Sequence, residues 1–368
     1  MPHFPTSWRR WHGALLLAVG LAACTGGTEF AQTTFHPVSD FADALNRVFI
    51  NTFGWTIGIL VLVLVLLVAV LVRFRERPGA PHPRQIHGNT RLEILWTVIP
   101  AVIVTFIAVP TVQAVFTTQR RPAADALEIE VIGHQWWWEF RYAAEGVVTA
   151  NQFYIPVGRE VHLRMTSADV IHSFWVPRLG GKRDVMPVPR GAEGVAARAN
   201  HIVFVASEPG RFRGQCAEYC GEAHAIMALF SVAVSSDEYA AWIESMRDTG
   251  AAAAPAEPGP AQGVQSNPVA EGRQIFLSKT CIACHAIANT TARGIIGPNL
   301  TRFGSRPTVG AGAAPMSQEN VEQWIRSPQS LKAGALMPGA QAAAAGFPPT
   351  GLTDDEIRKV AAYLVSLR

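Results

Sequence analysis

The chain has 368 residues, 49% of them hydrophobic and 16% charged, with a formal net charge of +3. That length exceeds one ordinary domain, and the small net charge without a long basic run argues against a nucleic-acid partner. The apolar residues concentrate in two stretches, which points to a membrane and to several modules.

At the N-terminus, Arg9 and Arg10 precede the apolar run ALLLAVGLAA, which is too short to span a bilayer and ends at Cys24. Residues 1–23 read as a signal peptide. LAAC at 21–24 resembles a bacterial lipoprotein cleavage box with Cys24 as the lipidated first residue; ordinary cleavage nearby is the alternative. Phe53 to Val72 and Ile94 to Gln119 contain no charged residue, and each reaches the ~20 residues a spanning helix needs. They predict a transmembrane hairpin over 40–120, with helices at about 50–72 and 94–117. Helices this long and apolar on every face rarely belong to soluble domains. The intervening loop carries Arg73, Arg75, Arg77, Arg84 and Arg91 against Glu76 and Glu93, which makes it cytoplasmic by the positive-inside rule. A two-pass protein of a bacterial inner membrane follows, with everything after residue 120 on the periplasmic or extracellular side.

Residues 125–240 form the next module. LEIEVIGHQWWWEF (127–140) begins with strand-like alternation, and VHLRM (161–165), HIVFVAS (201–207) and LFSVAVS (229–235) follow between Gly, Pro and Asp punctuation. Short strands at such intervals predict a β-sandwich or barrel of roughly 110 residues. Residues 249–265 (TGAAAAPAEPGPAQGVQ) cannot build a core and read as a flexible linker. In the last module, 266–368, VAEGRQIFLSKT reads as a helix. TDDEIRKVAAYLVSLR predicts another, with Thr353 and Glu356 as a capping box.

Apart from Cys24, the cysteines form two pairs, each with a disulfide as the bland alternative in an oxidising compartment. Cys281, Cys284 and His285 make C-x-x-C-H, the attachment sequence of c-type haem, with His285 as proximal ligand. Methionine suits the opposite side of the iron. Met337, in the Gly- and Pro-bounded GALMPG, is preferred over Met316. This part resembles class I cytochromes c. Cys216, Cys220, His224 and Met227 place four soft-metal ligands in CAEYCGEAHAIM, in a loop between two strands. Thiolates with a thioether favour copper over zinc. One Cys, two His and a Met would satisfy one copper, and the spare thiolate suggests a second, with both sulfurs bridging. The second histidine is sought in His172, with His134, His162 and His201 as competitors.

The helix pair with NTRLEILWTVIPA, then GHQWWWEF, DVIHSFWVPRLGGKRD and CAEYCGEAHAIM, in that order across 40–240, resembles subunit II of haem-copper cytochrome c oxidases. The appended cytochrome makes the caa-type oxidases the nearest likeness. The resemblance implies a multidomain chain: a two-helix transmembrane hairpin, a cupredoxin-like β-sandwich and an all-α cytochrome c domain. It implies a dinuclear Cu A centre held by His172, Cys216, Cys220, His224, Met227 and the Glu218 carbonyl, with the Glu218 side chain on a magnesium shared with subunit I. Trp136 matches the tryptophan through which the family takes up electrons, while Trp137 and Trp138 are assigned to core packing and membrane-interface anchoring. Glu93 matches the acid near a proton-path entrance in subunit I; helix N-terminal charge stabilisation is the equal alternative. The segment around 188–200 departs from the family pattern.

The implied function is electron transfer from an external donor, such as cytochrome c or a quinol–cytochrome c reductase, through the chain's own haem c and Cu A to subunit I, with subunit III as a further partner. Subunit I would reduce oxygen to water and pump protons. A nitrogen-oxide reductase component and a membrane-anchored copper carrier are the rival readings, and Cys216 and Cys220 argue against a quinol oxidase. Residues 125–248 hold 11 Lys and Arg against 16 Asp and Glu, a net of −5, whereas residues 266–368 hold 10 against 6, a net of +4. The opposite signs favour docking of the two modules. A 17-residue linker spans ~20–25 Å and gives an effective concentration on the order of millimolar.

Overall fold

A computed structural model describes residues 32–75, 77–79, 85, 87–188, 199–247 and 267–368. The signal segment 1–23, Cys24, the linker 249–265 and most of the divergent segment 188–200 lie outside the described residues.

Helix α1 runs Asp40–Arg73, starting ten residues before the expected position. Ser39 caps it by accepting from the Ala42 amide, and Asp40 and Asp43 sit in the first turn, where negative charge is stabilised by the positive end of the helix dipole. At 1.5 Å per residue its 34 residues measure about 51 Å, well beyond the ~30 Å of a hydrocarbon core. The excess is a foot planted on the β module. Phe41, Ala42 and Ala44 are buried, Asp40 accepts from the Val205 amide at 2.8 Å, and Arg120 bridges Asp40 and Glu160 at 2.7 and 3.3 Å. Absence of a Cβ at Gly180 admits the Phe41 ring, which an added methyl would meet at 3.0 Å.

Helix α2 runs Thr90–Thr118 and contains Pro100 and Pro110. Pro110 has no N–H to offer the Phe106 carbonyl four residues earlier. Asn51 of α1 donates its side-chain amide to that carbonyl at 3.3 Å, and Trp55 stacks on the Phe106 ring at 5.7 Å. Inside lipid a freed carbonyl must find a protein partner, so this contact ties the two helices where the backbone ladder is broken.

Among the described residues, ten strands make two five-stranded sheets. One has the order β3 (Val147–Ala150), β2 (Trp137–Tyr142), β1 (Leu127–His134), β5 (Glu160–Ser167), β8 (Asn200–Val205). The other is β4 (Gln152–Pro156), β10 (Ala228–Val234), β9 (Gly210–Cys216), β6 (His172–Trp175), β7 (Arg183–Val185). The pairs β1/β5 and β4/β10 are parallel and the rest antiparallel. Inward residues such as Ile129, Val131, Phe140, Phe153, Phe174 and Leu229 are buried, as the period of two requires. Helix α3, Ser236–Arg247, closes one end by burying Tyr239, Ile243 and Met246.

The C-terminal module packs α4 (Pro268–Ser278), α5 (Cys281–Cys284), α6 (Gln318–Arg326), α7 (Pro328–Leu331) and α8 (Asp354–Ser366). A two-residue ribbon, Thr308–Val309 with Ala314–Pro315, is added to the expected helices. Helices α4 and α8 cross at Gly272, where a Cβ would meet the Lys359 carbonyl at 1.9 Å. The capping box at Thr353 and Glu356 is formed.

Candidate copper and haem sites

The strand β9 ends on Cys216, and its alternation, with Phe212, Gly214 and Cys216 buried, turns that thiol inward. Cys216 pairs with Phe174, so His172, two residues before Phe174 on β6, shares its side of the sheet. Gly133 on β1 makes room for the imidazole, since a Cβ there would lie 2.7 Å from His172 Cδ2. The remaining loop folds back through a 3-10 turn, His224–Ile226, and Met227 is fully buried behind it.

These elements bring every expected copper ligand together. Cys216 Sγ lies 3.8 Å from His172 Nδ1, 3.7 Å from Cys220 Sγ and 3.2 Å from the Glu218 carbonyl. Cys220 Sγ lies 3.6 Å from His224 Nδ1 and 3.8 Å from Met227 Sδ. The sulfurs are too far apart for a disulfide, whose bond is about 2.05 Å. Two thiolates at 3.7 Å can share an ion at ~2.3 Å from each, with an angle near tetrahedral. The donor set of thiolates, imidazoles and a thioether therefore fits a soft metal. His134, His162 and His201 are elsewhere: His134 bonds Glu139 at 2.9 Å, and His162 bonds His201 at 2.7 Å.

Asp169 is a further residue of the site that sequence reasoning did not single out. It accepts from His172 Nε2 at 2.8 Å and from the Gln135 amide at 2.7 Å. This holds Nε2 as a proton-bearing nitrogen and turns Nδ1 toward the sulfurs. Burial works to lower the His172 pKa, but the Asp169 and Cys216 hydrogen bonds outweigh it and raise it. The bond from the Cys220 thiol, aided by His172 against burial, holds Cys216 well below the usual thiol range. The same bond and burial push Cys220 up. A soft metal bound here would be held by both sulfurs as thiolates.

In the C-terminal module a cavity of about 400 Å³ is lined by Cys281, Cys284, His285 and Met337, with apolar walls that include Phe276 and Leu352. His285 Nδ1 bonds the Pro298 carbonyl at 2.8 Å, which leaves Nε2 to face a ligand. Gly297 lies against the ring, where a Cβ would approach Cε1 to 2.6 Å. Burial depresses the His285 pKa, keeping the imidazole neutral, as iron ligation needs. Met316 packs into the core and is not among the cavity residues. An apolar cavity walled by C-x-x-C-H and a thioether fits a covalently attached haem.

The same cavity is also walled by Gln135, Trp136, Trp137 and Asn151 of the β module. Trp136 Nε1 and Gln135 Nε2 both donate to the Cys220 carbonyl, at 3.0 and 2.7 Å. Trp136 therefore stands between the cavity and the copper loop. Trp138 is a core residue, edge-on to His172. Trp137, assigned with Trp138 to core packing and membrane-interface anchoring, stacks on His134 at 4.1 Å and lines the cavity. Glu93 accepts from the Asn89 amide at 3.2 Å, so its side chain does cap α2. The Glu218 side chain is exposed.

Three family models match this chain: cytochrome c oxidase subunit II transmembrane domain over residues 31–114, its periplasmic domain over 145–234, and cytochrome c over 269–368. Cytochrome c oxidase subunit 2 of Alkalihalophilus pseudofirmus is 40% identical over 80% of this chain and 79% of its own. The corresponding protein of Bacillus sp. strain PS3 is 31% identical over 98% of each chain. Among solved structures, the periplasmic domain of subunit II of cytochrome oxidase of Bradyrhizobium japonicum is 32% identical, covering 34% of this chain and 95% of its own, with a TM-score of 0.30. The chain belongs to the cytochrome c oxidase subunit II family, a component of an oxidoreductase complex, and carries a cytochrome c domain on the same polypeptide.

Proposed function

We propose that this subunit takes electrons from an external donor at its cytochrome domain and delivers them through its copper loop to subunit I. The observation that carries the reading is the position of Trp136, which walls the cytochrome cavity and hydrogen-bonds the Cys220 carbonyl. When bound, haem c at Cys281, Cys284, His285 and Met337 and a copper pair at His172, Cys216, Glu218, Cys220, His224 and Met227 supply the one-electron chemistry.

The residues of this chain provide the rest. Asp169 orients His172, and Trp138 and Gly133 pack its ring, so little has to move when charge changes. Burial of Cys216, Cys220 and Met227 excludes water from the sulfurs. The exposed Glu218 side chain is free for a magnesium at the subunit I face. Glu93, at the arginine-rich end of α2, is proposed to stand near the proton-path entrance of subunit I. The two helices hold the chain in a bacterial inner membrane, with both C-terminal modules on the periplasmic side and Cys24 as a lipid anchor. Oxygen reduction and proton pumping belong to subunit I; subunit III completes the complex.

Anaerobic rapid mixing of the purified complex with a reduced cytochrome c tests the order of reduction. The reading requires the haem c absorption to change before the copper absorption, with a copper signal characteristic of a mixed-valence pair. A copper signal of a single mononuclear ion would refute the dinuclear assignment.

A further inference from the structure

Lys332 follows α7 in the cytochrome domain and is only 3% exposed. Its ammonium donates to the Trp136 carbonyl at 2.6 Å, across the boundary between the two modules, and to the Gly310 carbonyl at 3.0 Å within its own. Among the described residues no carboxylate forms an ion pair with it. Burial pushes its pKa down to about 7, with the Cys220 sulfur acting the other way.

This is not the long-range charge pairing that the net charges of the two modules suggest. A carboxylate partner would attract an ammonium over many orientations, whereas a buried carbonyl rewards one distance and one direction. Desolvating the ammonium is costly unless that geometry is met.

Two neighbouring contacts reach the same copper loop. The Ala228 amide, next to Met227, donates to the Ala311 carbonyl at 2.8 Å. Gly310, Ala311 and Gly312 all have positive φ, and a Cβ on Gly312 would meet Ala228 at 2.8 Å. Gly334 lies against Glu222, between Cys220 and His224. The segment from Lys332 to Met337 thus carries both the clasp on Trp136 and a wall of the cavity.

We propose that Lys332 is the positioning residue of the intramolecular donor–acceptor contact, holding the cytochrome domain in the one orientation that sets its cavity against Trp136. The inference rests on the electron path proposed above. Without the clasp, the domain remains tethered by its linker but samples other orientations, and transfer waits for re-docking.

The test uses the intact complex with both centres confirmed by haem c absorption and copper EPR. Flash reduction of haem c is followed by the rate of copper reduction, at two solvent viscosities. In the parent complex that rate is independent of viscosity. Lys332→Met lowers it about tenfold, as expected for loss of a charged hydrogen bond, and makes it fall with viscosity. An unchanged rate in Lys332→Met, or a slower one that ignores viscosity, overturns the proposal. If Lys332→Met does not assemble, Lys332→Gln is read by the same two criteria. Should haem c in the parent complex fail to reduce copper at all, the electron path itself is wrong; a parent path that works with an indifferent Lys332 removes only this inference.

Discussion

The indole N–H of Trp136 is bonded to the backbone carbonyl of Cys220 at 3.0 Å. One ring therefore belongs to the wall of the cytochrome cavity and to the main chain of the copper loop. Gln135 Nε2 holds the same carbonyl at 2.7 Å, so the loop has a second support when the indole is removed. Trp136→Phe is accordingly expected to keep the copper EPR signal while slowing haem-to-copper transfer. Flash kinetics with EPR on the same sample separates the two effects.

Met227 is fully buried, and its sulfur lies 3.8 Å from Cys220 Sγ. Leucine conserves its volume, and such exchanges cost less than about 1.5 kcal/mol in a core. Met227→Leu should fold, change the copper EPR spectrum and leave haem c absorption intact. A lost haem c band with an undisturbed copper signal would contradict the ligand assignment.

Asn51 supplies the partner that Pro110 denies to the Phe106 carbonyl. Asn51→Leu keeps the apolar fit but leaves that carbonyl unpaired, and should cost about 1 kcal/mol, the range of polar contacts between membrane helices. The midpoint of denaturant unfolding in detergent micelles measures this. Asn51→Gln, which retains an amide, should lose less.

Glu139 is 8% exposed. Burial works to raise its pKa, but hydrogen bonds from His134 and Arg141 prevail and hold the carboxyl below 4.5. A group depressed on folding contributes stability above its unfolded pKa and loses it as pH falls through the folded value. Unfolding midpoints should therefore drop as pH falls from the ordinary carboxyl range through the lowered folded value. Glu139→Gln should be less stable at pH 7 and lose less on acidification, as a pH series of thermal melts would show.

Much of this architecture was legible because the signals are local. Twenty uncharged residues, a C-x-x-C-H and a capping box at Thr353 each carry their meaning within a few turns. The start of α1 was not, since the ten residues before the expected start at 50 owe their helix to the Ser39 cap and to Phe41 packing on the β module. Strand β9 was missed because GRFRGQC alternates arginine and glycine with its buried positions, and glycine depresses strand propensity. The link between His172 and Cys216 spans 44 residues and came from family resemblance; the β6/β9 pairing that creates it has no local mark. Asp169 belongs to the same class, a second support visible only once His172 is placed. The contact between Lys332 and Trp136 joins residues 196 apart, and in sequence Lys332 is one more surface-type cation.

The proposed passage of electrons to the copper loop through the cytochrome domain of the same chain is tested most directly by anaerobic single-turnover reduction of the intact complex by a soluble donor, comparing the parent with Met337→Ala, which removes the proposed thioether ligand from the cavity. Haem c should be reduced first, copper should follow with a lag, and the variant should slow both copper and oxygen-site reduction together. Copper reduced without a lag, at the same rate in parent and variant, would contradict it.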